Sequence, residues 1–134
     1  MLDSFLVPAR TVVTAKGDSE PLDISSINSS ALLVTLSITS VVEQESIELG
    51  VFTSSDGVTW EPKPVATLAQ KFYAGEYPLL VNLSLGNRKF IRAHWEVNRW
   101  GRGSVTPHFE IGIRAREIPR ELLEGAKQEA QTPR

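Results

Sequence analysis

The chain has no cysteine, which excludes a disulfide framework, any thiolate metal site and a cysteine nucleophile. Histidine is nearly as scarce, with His94 and His108 as the whole imidazole supply. Charge of one sign is also missing. Fourteen Lys and Arg against sixteen Asp and Glu give a formal net charge of -2, so neither nucleic acid nor an acidic membrane is an expected partner on electrostatic grounds. No apolar run approaches the ~18 residues that cross a bilayer, since even Ala31 to Val42 is interrupted by Thr35, Ser37, Thr39 and Ser40. The start, Met1 to Ala9, carries Asp3 and lacks the basic start and long apolar run of a secretory signal, so synthesis in the cytoplasm without a signal peptide is expected. At 134 residues one domain is expected, with no metal or cofactor needed to hold it together.

What the sequence does have is alternation. Leu32, Val34, Leu36 and Ile38 share one face of an extended segment, with Thr35, Ser37 and Thr39 on the other. The same period of two recurs in Ile47, Leu49 and Val51, in Ile91, Ala93, Trp95 and Val97, and in Phe109, Ile111, Ile113 and Ala115, predicting four half-buried strands. Weaker strand candidates are Arg10 to Ala15, Leu22 to Ile24, Val65 to Leu68 and Pro78 to Ser84. Turn residues at Gly17-Asp18, Asn28-Ser29-Ser30, Ser55-Asp56-Gly57, Gly86-Asn87 and Gly101-Arg102-Gly103 separate them. Seven or eight short strands so spaced predict an all-β antiparallel sandwich, jelly-roll-like or Greek key, over residues 1-117. Residues 118-134 read differently. Ile118, Leu122, Ala126 and Ala130 recur every four residues among charged ones, and the stretch is expected to be a short helix or a disordered tail, with Gly125 weakening the helix by ~1 kcal/mol.

The most informative stretch is a hairpin. An alternating strand runs into Ser54-Ser55-Asp56-Gly57 and then Val58-Thr59-Trp60; Asp and Ser can bond the turn backbone, and Gly accepts positive φ. A four-residue loop, Ser54 to Gly57, would set Thr53 opposite Val58 and Val51 opposite Trp60, making Trp60 a core residue. This Ser-x-Asp-Gly-x-x-Trp hairpin (Ser54, Asp56, Gly57, Trp60) resembles that of small β-sandwich proteins of tailed-phage virions and prophages. Phe90-Ile91-Arg92 is similar to their aromatic-aliphatic-Arg strand, and Ser104 to Ile111 to their closing strand, so the resemblance spans roughly Ala31 to Ala115. A weaker local similarity is to discoidin-like carbohydrate-binding sandwiches, without their aromatic-rich N-terminal half and paired cysteines. The first resemblance implies a non-enzymatic structural or interaction module of a virion, self-associating as a homo-oligomer or contacting other virion proteins. The second implies a carbohydrate-binding module.

Residues of chemical interest are few. Pairing Lys89-Asn98 with Thr106-Arg116 as a hairpin would set Glu96 opposite His108, His94 opposite Glu110 and Trp95 opposite Phe109. Those imidazole and carboxylate pairs lack metalloprotease-type spacing, and cross-strand polar pairing accounts for them. No Gly-x-Ser-x-Gly elbow is present, and nothing singles out two of Glu43, Glu45, Glu48, Asp56 and Glu61 as a catalytic pair; the expectation is a protein that is not an enzyme. The ligand or interface candidate is the loop Arg99-Trp100-Gly101-Arg102-Gly103, where two cations flank a tryptophan suited to anchoring a protein contact or stacking on a sugar ring. Tyr73 and Tyr77, in a second aromatic loop, are the other stacking candidates.

Overall fold

The computed structural model describes residues 2–27, 30–83, 88–101 and 106–119. Nine strands occur among them: β1 (Asp3–Val13), β2 (Gly17–Asp18), β3 (Leu22–Asp23), β4 (Ala31–Val41), β5 (Glu45–Ser54), β6 (Ala66–Lys71), β7 (Gly75–Asn82), β8 (Phe90–Arg99) and β9 (Phe109–Glu117). One sheet runs β1-β9-β4-β7; the other runs β2-β8-β5-β6, with β3 also pairing β8. The pairing is antiparallel and nested: β1 with β9, β2 and β3 with β8, β4 with β7, and β5 with β6. The chain is thus one long hairpin whose tip lies between β5 and β6. It is rolled so that β4 also pairs β9 and β5 also pairs β8, which is the jelly-roll form of the sandwich.

Alternation explains the two inner faces. The predicted sets on β4, β5, β8 and β9 point inward and are buried, except that Val97 is only half-buried. Each full burial of such an aliphatic side chain stabilises the fold by about 1.5–3 kcal/mol. Trp95 joins this core and places its indole N–H 3.1 Å from the carbonyl of Ala15.

The expected β8–β9 hairpin does not form. The two strands lie in different sheets, so Trp95 and Phe109 are both buried but are not in-sheet partners, and His94 does not oppose Glu110. Period-two alternation identifies which face of a strand is buried and is silent on which strand lies beside it. The helix expected from Ile118 onward lies outside the described residues beyond Pro119; β9 ends at Glu117, and the Ile118 N–H donates to Ala31 O at 3.1 Å.

Strand β1, at one edge, is irregular. Its register against β9 shifts between Phe5 and Val7 and again between Val7 and Thr11, and Arg10 has φ 64°. Bulges of this kind twist an edge away from further strand pairing. Ala9 passes directly over Gly112 of β9, where a Cβ would stand 3.0 Å from the Ala9 Cα. The neighbour is backbone, so Gly112→Ala must push β1 off the sheet; a loss of about 1–3 kcal/mol is expected for such overpacking, read by urea unfolding.

Candidate functional site

At the tip of the long hairpin, Ser54 and Asp56 organise the turn. The buried Ser54 hydroxyl lies 2.6 Å from Thr59 O and 2.9 Å from Asp56 Oδ1, and accepts from the Gly57 N–H at 2.9 Å. Asp56 Oδ1 accepts from the N–H groups of Val58 and Thr59 at 2.9 and 2.8 Å. The N–H of Thr59, then that of Val58 and the Ser54 hydroxyl, hold the Asp56 carboxyl below its ordinary pKa. Gly57 has φ 79°, which glycine adopts without a Cβ penalty.

The turn is therefore as the motif suggests, but its register is not. Ser54 bridges Trp60, the Glu61 N–H donates to Thr53 O, and Val51 pairs with Ala66. At Trp60 the offset from the expected pairing is three residues, and by Val51, which meets Ala66 in place of Trp60, it is six. An odd offset reverses the face, so Trp60 is not a core residue. It is half-buried on the outside of the β5–β8 sheet, with the Arg92 guanidinium 4.6 Å above its ring.

Beside that stack is a polar cluster. His94 Nδ1 lies 2.8 Å from Asp18 Oδ1, and its Nε2 lies 2.9 Å from Glu96 Oε1. Both nitrogens can donate only when the ring is cationic. Burial, the largest single influence, pushes the His94 pKa down; the hydrogen bonds to Glu96 and Asp18, with their charges, together outweigh it, and the net shift is upward. Glu96 stands directly opposite Glu48 on β5, a repulsive cross-strand pair that the adjacent imidazolium offsets. Phe52 meets the His94 ring edge-on, centroids 6.1 Å apart.

The opposite end of the sandwich gathers the connections β4–β5, β6–β7 and β8–β9. A buried carboxylate joins two of them: Glu45 Oε2 accepts from the Val42 N–H at 3.0 Å and Oε1 from the His108 N–H at 2.6 Å. The Trp100 N–H donates to Gln44 O at 2.9 Å, and Gln44 has φ 61°. On this frame sits a depression of about 330 Å³ lined by Val41, Val42, Glu43, Gln44, Glu45, Phe72, Tyr73 and Trp100. Tyr73 is 76% exposed, Trp100 45% and Phe72 40%. The Phe72 ring meets Trp100 at 78° and 6.1 Å, and Tyr73 at 56° and 6.4 Å.

The structure thus brings together two of the sequence candidates, Trp100 and Tyr73, from separate loops. Tyr77 braces the site: its hydroxyl donates to Tyr73 O at 2.7 Å, and Lys71 Nζ covers its ring at 5.2 Å. Arg99 donates to Thr106 O at 3.2 Å. Arg102 lies outside the described residues. Glu45 was missed as a structural centre, although it stands in phase with the inward Ile47, Leu49 and Val51. Among the described residues no group of three or more His, Cys, Asp and Glu could hold a metal ion. No family model, curated protein or solved structure matches the chain.

Glu45→Gln replaces one carboxylate acceptor with an N–H₂ facing a backbone N–H, and a loss of about 1.5–3 kcal/mol is expected in chemical unfolding. For His94 the sign follows from its raised folded pKa. The stability its ion pairs supply is full below the ordinary value of 6.5 and is lost as pH rises through the folded value. Wild type should therefore exceed His94→Gln more in urea unfolding at about pH 5.5 than at about pH 8.5; an equal difference at both would show that the ring does not titrate in this way.

Proposed function

We propose that this chain is a non-enzymatic structural or interaction module that binds neighbouring chains through its aromatic loop end, in a phage or prophage particle in which it self-associates. The observation that carries this reading is the convergence of Phe72, Tyr73 and Trp100, three exposed rings from two connections, on one depression. Large aromatics exposed together are unfavourable in a free monomer and are the residue types that anchor protein contacts. The jelly-roll form recurs in viral capsid domains and in lectins. That support is by analogy of fold and weighs less than the site.

The particle setting rests on the Ser54-Ser55-Asp56-Gly57-Val58-Thr59-Trp60 hairpin and the strands similar to those of phage sandwiches. A second reading, carbohydrate binding, draws on the same rings beside Glu43 and Gln44. Sugar-stacking surfaces favour a flat ring face, however, and these rings meet at 56° and 78°.

Light scattering over a concentration series separates the two. A defined oligomer is expected for the full chain, with Tyr73→Ala and Trp100→Ala each weakening association tenfold or more, as loss of a hot spot of about 1.4–2 kcal/mol would. Circular dichroism checks that both variants keep the strand content. A strict monomer at every concentration would overturn self-association, and saturable oligosaccharide binding that is lost in both variants would favour the second reading.

A further inference from the structure

We infer that the depression between Val42, Glu43, Phe72, Tyr73 and Trp100 is a receptor for an organic cation, an ammonium or guanidinium head presented by the neighbouring chain. The inference rests on the proposal that this loop end is a contact surface, and it names the chemistry of the group received. Three features argue for a cation rather than an apolar side chain. The rings meet at steep angles instead of forming a flat shelf, and all three line one depression. Ring faces carry the negative part of the aromatic quadrupole, and several of them around one point form the arrangement that holds alkylammonium groups.

The second feature is charge. Of the eight residues lining the depression, two are carboxylates, Glu43 and Glu45, and none is Lys or Arg. Glu45 is buried and occupied by the N–H groups of Val42 and His108, whereas Glu43 is exposed at the rim. The third is that, among the described residues, the nearby cations Lys71 and Arg99 are engaged elsewhere. Lys71 stands over Tyr77, and the Arg99 guanidinium donates to Thr106 O.

The test uses the full ¹⁵N-labelled chain with choline and its uncharged isostere 3,3-dimethylbutan-1-ol as probes, in sodium chloride buffers of equal ionic strength. The indole N–H of Trp100 is identified by Trp100→Phe and followed by NMR. Choline should shift it saturably and bind at least about fivefold more tightly than the alcohol, a margin in the range of a cation–π contact. Trp60 and Trp95, on the outer sheet face and in the core, should not move. Glu43→Gln should narrow the margin while leaving the alcohol unchanged.

Equal affinity for both probes, or no saturable shift with choline, would overturn the inference. Mass under the same conditions separates the two proposals. If choline binds and dissociates the oligomer, the cation comes from the neighbour. If choline binds and the mass is unchanged, the receptor stands and the contact reading fails at this surface.

Discussion

The long hairpin that makes up this molecule turns at Ser54, where a hydrogen-bonded connection reverses the chain between β5 and β6. The Ser54 hydroxyl and the Asp56 carboxylate occupy backbone groups of a five-residue connection that would otherwise lack partners. That fixes Ser54 opposite Trp60; the return strand then shifts by three residues before β6 pairs β5, Val51 with Ala66, and Ile47, Leu49 and Val51 of β5 face inward. A slip of one residue would expose this row and bury Glu48, Gly50 and Phe52 instead. Burial of the row makes such a slip costly, so core packing holds β5 in register while the turn chemistry closes the connection.

The two ends of the roll carry different chemistry for the same structural reason. Strand connections leave backbone groups unpaired, and each end satisfies them with a buried polar side chain: Ser54 at the tip, Glu45 at the aromatic end. Glu45 joins the β4–β5 turn to the segment entering β9, strands of opposite sheets. A carboxylate can do this because it accepts on both oxygens and donates on neither. One of the connections it holds carries Trp100, which meets Phe72 of the β6–β7 connection. Trp100 is accordingly mounted on a hydrogen-bonded frame, which favours recognition because less ordering is required on contact.

The outer face of the β5–β8 sheet shows how the same residue types behave without a concavity. Arg92 stacks on Trp60 and His94 sits between Asp18 and Glu96, so the cations of this face lie against rings and carboxylates of the same chain. At the aromatic end none of the described residues lining the depression is Lys or Arg, and that difference separates the two surfaces.

Much of the architecture was legible in the residues. Alternation located the four central strands and their buried faces, and Ser54, Asp56 and Gly57 located the turn, because both depend on interactions within a few residues along the chain. The faces of Trp60 and the partners of β8 and β9 were not legible. Trp60 needed the loop length to the residue, and an odd error there reverses the face; β8 and β9 each have an inner row that fits either beside the other or across the core. Trp100 stands more than twenty-five positions from Phe72 and Tyr73 in the sequence, and only the rolling of the ribbon brings them together. The sequence by itself determined an all-β chain with two apolar inner faces and a capped turn, since those follow from local periodicity and local hydrogen bonding. The tertiary structure alone decided which strands are neighbours, which carboxylate is buried and which rings converge, since these depend on long-range pairing that no local pattern encodes.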